Sequence, residues 1–182
     1  MRGRNRRREP QPLDSARLDE LALTYVGRFA TTRSKLGSYL SRKIRERGWA
    51  GERPPDTQAI VERLASLGYV DDAQYALSKA RSLTGRGYGP RKVGQSLYAA
   101  GVGEEDGQAA RQLAGDESVE AALRYARRRR IGPFAAQGAD PAGRERALAA
   151  MIRAGHSFAL SKAILSLGPG DEVDIAMLEE KS

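Results

Sequence analysis

The chain has 182 residues, 40 % of them apolar, with no cysteine, a single histidine (His156), a net charge of +8 and a pI near 10.0. That excludes a disulfide framework and any thiolate or His-rich metal centre, and a balance this basic favours a polyanionic or acidic partner. No apolar run approaches the roughly 18 residues of a membrane span, and the opening "MRGRNRRREPQP" lacks the apolar core of a secretory signal, so a soluble, cytoplasmic protein is expected.

Residues 1–12 carry five Arg against one Glu and read as a disordered basic tail, either solubilising or a loose phosphate-binding arm. From there the periodicity is helical. Leu18, Leu21, Ala22, Tyr25, Val26 and Phe29 fall on one face of a 3.6-residue helix that Asp14 or Ser15 can cap. Leu36, Tyr39, Leu40 and Ile44 give a second apolar stripe, and Ile60, Val61, Leu64 and Leu67 a third. No window alternates as a strand does.

Gly68 is placed to end the third helix in the left-handed region, and Asp71 to cap the next, with Gln74 at the capping-box position and Val70 and Tyr75 at the staple positions. The acidic pair Asp71–Asp72 is thereby accounted for as a helix junction. The stretch "GRGYGP" (85–90) is not a phosphate loop: it lacks the lysine of that motif and follows a helix. It reads as a helix end near Gly85 and a new start with Gly89 as N-cap and Pro90 at the first helical position. Arg86, Arg91 and Lys92 then crowd a helix N-terminus, where the macrodipole disfavours cations, and this points to an external anion or acidic partner.

"RERGW", "YAAGV" and "IRAGH" each end a helix with glycine before a bulkier residue, and Gly48, Gly101 and Gly155 are 53 and 54 residues apart. Tyr25, Tyr75 and Tyr125 recur at fifty residues. Periods of this size signal repeats. The expected organisation is all-α: three tandem three-helix repeats forming an elongated, curved, solenoid-like body. The repeats span 13–70, 71–116 and 117–168, and 169–182 is an acidic C-terminal tail or short helix. Asp140–Pro141 starts a helix in the third repeat, and Ser157 caps its last one, with Phe158, Ile164 and Leu165 facing inward. Each repeat contributes a basic run: seven basic residues against two acidic in 33–53, and five against none in both 79–92 and 124–130.

The stretch 68–102, with its Gly-aromatic-hydrophobic-Asp-Asp and Gly-x-Gly-Pro elements, resembles the central region of the RecX family of bacterial recombination regulators. Residues 25–49 and 146–165 resemble that family's first and third repeats, so the resemblance spans about 16–168. Two departures stand out: a second helix (33–47) about a turn longer than its counterparts, and an insertion-like loop, "IGPFAAQGADPAG" (131–143).

The resemblance implies a regulator that binds the RecA–DNA filament in its helical groove and restrains strand exchange, ATPase and SOS co-protease activity, with no catalysis and no cofactor. The partners it implies are the RecA filament and, through it or directly, single- or double-stranded DNA; no membrane is involved, and the chain is expected to act as a monomer. Charge and place in the repeat single out Arg33, Lys35, Arg42, Lys43, Arg45, Arg86, Arg91, Lys92, Arg127, Arg128, Arg129 and Arg130 for contact with DNA or filament. The rival readings are a general helical DNA-binding or nucleoid-associated protein working without RecA, and a metal-dependent nuclease or phosphotransferase.

Overall fold

The structure is a computed structural model, and it describes residues 11–181, so the basic segment 1–10 lies outside the described residues. The fold is all-α, built of three-helix repeats, and divides into two compact units, Met1–Asp71 and Asp72–Ser182.

The first unit holds α1 (Ser15–Val26), α2 (Arg33–Arg47) and α3 (Thr57–Ser66). Asp14 caps α1 through the Arg17 N–H and Thr32 caps α2 through the Lys35 N–H. The core is formed by Leu18, Ala22, Leu36, Leu40, Val61 and Leu64, with Leu13 and Val70. Two residues of the expected apolar stripes are not in it. Helix α1 stops before Phe29, which stays 57 % exposed against the Tyr25 ring, and Leu67, the last residue before the turn, is 64 % exposed. Among the described residues no strand forms; Leu13 and Trp49 make one isolated parallel bridge.

The second unit contains α4 (Asp72–Gly85), α5 (Pro90–Ala99), α6 (Glu104–Asp116), α7 (Ser118–Arg129), α8 (Pro141–Arg153), α9 (Phe158–Ser166) and α10 (Ile175–Glu179). Helix α4 packs most extensively on α6, where Ala76 and Ala80 meet Ala110 and Ala114, small side chains that let the two axes approach. Helices α7 to α10 enclose a further cluster around Tyr125, Met151, Leu160, Ile164 and Leu178. The acidic C-terminal stretch thus takes its helical form, docked through a fully buried Leu178. Phe158, expected to face inward, is 56 % exposed, because the buried face of α9 is Leu160, Ser161 and Ile164.

The glycine signals in the sequence mark real backbone demands. Gly48, Gly68, Gly101 and Gly155 all have positive φ. After α3, α5 and α8 the glycine and its successor return hydrogen bonds to the last turn: Gly68 N–H to the Ala65 carbonyl and Tyr69 N–H to the Leu64 carbonyl, for example. The fifty-residue tyrosine spacing does mark the first helix of each repeat, α1, α4 and α7, but at different turns. Tyr25 lies at the end of α1, Tyr75 in the first turn of α4 and Tyr125 in the middle of α7.

Helix α7 closes in the same way, through Arg130 N–H to the Arg127 carbonyl and Ile131 N–H to the Ala126 carbonyl, but with an arginine at φ 53, the single non-glycine positive φ among the described residues. Left-handed backbone costs a side-chain-bearing residue about 1–2 kcal/mol, and glycine gives back part of that as unfolded-state entropy. Arg130→Gly is therefore expected to raise stability by about 0.5–1 kcal/mol in urea unfolding. A loss would mean that the arginine side chain holds the turn.

Candidate nucleic-acid interface

The loop between α4 and α5 is a packing joint. Gly87, at φ 80, lies so close to α7 that a Cβ there would come within 2.8 Å of the Tyr125 nitrogen. Gly89 donates its N–H to the Ala154 carbonyl and Arg91 to that of Gly155, so the open N-terminus of α5 is answered by the C-terminal carbonyls of α8. These carbonyls answer backbone donors of the helix end but carry no net charge to offset Arg86, Arg91 and Lys92.

Beneath the joint, His156 is fully buried and donates from Nε2 to the Gly87 carbonyl at 3.1 Å, the protonation that an accepting carbonyl requires. Its Nδ1 has no partner among the described residues. Burial pushes the imidazole below its ordinary value of about 6.5, against a smaller opposing pull from the Gly87 carbonyl. The folded state therefore favours neutral His156, while the unfolded chain takes up a proton near 6.5. The corresponding stability is complete above that pH and is lost as pH falls through the lower folded value. The urea midpoint of the wild type is expected to drop more steeply between pH 7.5 and pH 5.5 than that of His156→Gln, which keeps a donor but does not titrate; parallel pH profiles would contradict this.

Tyr88 and Tyr125 open beside this joint into a cleft of about 390 Å³ bordered by Lys92, Arg128, Arg129 and Arg153, with Ala150 and Ala154 between α7 and α8. No carboxylate lines it. The Arg128 guanidinium lies 5.5 Å from the Tyr125 ring centre and 5.9 Å from that of Tyr88, and it donates to the Arg86 carbonyl. Arg129 lies 5.8 Å from the Tyr125 ring. Cations fixed over aromatic rings, with no acidic partner among the described residues, suit the phosphates of a single strand and the bases beside them.

The arginine run of α7 therefore diverges. Arg128 and Arg129 enter the cleft, Arg127 turns away onto the Phe134 ring at 4.8 Å, and Arg130 borders a different cavity. Arg86 stacks at 5.5 Å over Tyr88, and Arg91 is exposed in the first turn of α5, outside the cleft.

In the first unit Arg33 and Arg45 border a shallow cleft of about 460 Å³ between α2 and α3, with Ser34, Ser38, Ser41 and Gln58 between them. Arg42 and Lys43 instead pair with Glu46, at 3.6 and 2.6 Å, and the hydrogen bond from Lys43 holds that carboxyl below its usual range. Lys35, half-buried in the first turn of α2, is not in the cleft lining.

Sequence reasoning passed over Tyr88, Tyr125 as a binding residue, and Arg153. The available signal for Arg153 was its place three residues after Ala150, on the same face of α8. Among the described residues no three His, Asp or Glu side chains converge to hold a metal ion, and no helix is long and apolar enough to cross a membrane.

Residues 71–110 match the family described as RecX, second three-helix domain. The chain is 35 % identical over 172 residues to Regulatory protein RecX of Myxococcus xanthus, covering 89 % of this chain and 91 % of that one. It is 28 % identical over 148 residues to Regulatory protein RecX of Agrobacterium fabrum, covering 79 % of each. The fold is similar to the crystal structure of RecX from Lactobacillus salivarius, with a TM-score of 0.59 at 18 % identity over 83 % of this chain and 94 % of that one. The extent of the Myxococcus match, over nearly the whole of both chains, shows that this chain belongs to the RecX family of regulatory proteins.

Proposed function

We propose that this chain binds the RecA–DNA filament and restrains RecA in strand exchange, ATP hydrolysis and SOS co-protease action, by occupancy and without catalysis. The observation that carries the reading is the 35 % identity, across 89 % of this chain and 91 % of the other, to a protein named Regulatory protein RecX. The cation–tyrosine cleft supplies a physical means. A strand lying in the filament presents phosphates to Lys92, Arg128, Arg129 and Arg153 and a base to the half-buried Tyr88, while the buried Tyr125 forms the floor, and a protein seated there obstructs a second duplex. Arg33 and Arg45 provide a second phosphate contact in the first unit, with serine hydroxyls between them. In this reading 13–70, 71–116 and 117–168 act as the three repeats, and Arg42 and Lys43 contribute little because Glu46 already answers their charge. The test is RecA-driven strand exchange with substoichiometric protein: product formation falls if the reading holds, and unaffected exchange at equimolar protein refutes it.

A further inference from the structure

The loop that departs from the family pattern builds a second cavity. Residues 131–139, the start of α8 and the end of α9 enclose about 220 Å³ that shares no residue with the cation–tyrosine cleft. Its walls are apolar where Ile131, Ala147, Leu165 and Leu167 meet. It continues, through Arg144, Leu165 and Ser166, into a shallower trough of about 360 Å³ between α8 and α9, extended by Leu148. Among the lining residues the charges are Arg130 and Arg144 at the cavity and Lys162 at the trough against Glu145, with Asp140 and Asp171 behind the lining, engaged by the Gly143 and Gly168 N–H groups. Arg130 sits where glycine would be favoured, at φ 53, and thereby keeps a guanidinium at the cavity edge.

The volume lies below the roughly 300 Å³ at which small-molecule pockets begin, and it is of the order of one aliphatic side chain, with the trough to take the residues beside it. We propose that this cavity and trough dock an acidic protein segment through one large aliphatic anchor residue, apart from the cleft that takes nucleic acid. Charge excludes the chain's own first ten residues, which carry five Arg against one Glu and share the sign of the border. The acidic C-terminal stretch is already committed, its Leu178 buried in the core. Under the proposed function, on which this inference rests, the segment belongs to RecA, and the basic residues divide between the two components of the filament: Lys92, Arg128, Arg129 and Arg153 to DNA, Arg130, Arg144 and Lys162 to protein.

Two variants of the full chain separate the outcomes. Ala147→Leu fills the cavity without changing charge, at a half-buried helical position, and Arg144→Gln removes one border cation from an exposed one. Binding is measured to RecA filaments on single-stranded DNA and to the bare strand at the same salt, with thermal melts to confirm that both variants fold. Each variant is expected to weaken filament binding by about tenfold while changing bare-strand binding by no more than about twofold. Filament binding unchanged in both variants would overturn the docking site, and equal losses on filament and bare strand would reassign the trough to nucleic acid. A wild type that gains nothing from RecA over the bare strand would overturn the filament reading itself, and this is visible without either variant.

Discussion

Replacing Gly155 with alanine is expected to destabilise the second unit by about 2–5 kcal/mol, the sum of the backbone cost and the overpacking cost. Gly155 has φ 97, outside the range L side chains adopt comfortably, and a Cβ there would come within 2.5 Å of the Lys92 nitrogen. The facing residue is as constrained: a Cβ on Gly89 would meet the Gly155 carbonyl oxygen at 2.4 Å. Both obstacles are backbone atoms, so no side-chain rotation relieves them. Two glycines back to back are what allow the start of α5 to hydrogen-bond the α8–α9 turn. Gly94→Ala is the matched control. Gly94 lies inside α5, and a Cβ there would meet nothing within 4 Å, so alanine is expected to gain about 0.5–1 kcal/mol. Equilibrium urea unfolding measures both; a Gly155→Ala loss under about 1 kcal/mol would mean that the joint yields easily.

The second large effect is electrostatic. Each phosphate neutralised on a single strand contributes about −0.7 to the slope of log K against log salt. Removing Arg128, Arg129 and Arg153 together, as a triple serine variant, should make that slope shallower by about 2, three contacts at 0.7 each. All three side chains are exposed, so the fold should survive. The double variant Arg42→Ala, Lys43→Ala removes two cations that already face Glu46 and should change the slope by less than about 1. Equal slopes for the wild type and the triple variant would place the cleft outside the DNA contact. A larger effect from the Arg42–Lys43 pair than from the cleft would move the interface to the first unit.

What was legible in the sequence followed local rules. Gly68, Gly101 and Gly155 announced helix ends because a positive φ is a demand of the chain itself, and Asp14, Asp140 and Ser157 announced helix starts because a cap acts within three residues. The all-helical character followed from apolar periodicity. The errors lie where tertiary packing decides. Phe29 and Leu67 continue the apolar stripes on paper, but their helices end first, and Phe158 shares α9 with a stronger buried face. The tyrosine spacing located the first helix of each repeat but not a shared helical turn.

The candidate site was half legible for the same reason. Charge runs gave Lys92, Arg128 and Arg129, but a run does not say which way consecutive residues point. Four successive arginines, three on α7 and Arg130 at its cap, are spread around the helix end, and only two enter the cleft. Arg153 comes from a helix sixty residues beyond Lys92 and joins it only because the two glycines let α5 meet the α8–α9 turn. Glu46, four residues after Arg42 and three after Lys43, holds both, a helical pairing that the charge count passed over.

The most direct test is the single-strand-dependent ATPase of RecA, titrated with wild type and with the Arg128→Ser, Arg129→Ser, Arg153→Ser variant at one fixed salt concentration. Substoichiometric wild type is expected to lower the ATPase, and the variant to need at least about tenfold more protein for the same effect. An ATPase indifferent to equimolar wild type, or lowered equally by both proteins, would contradict the assignment of the cleft to the filament.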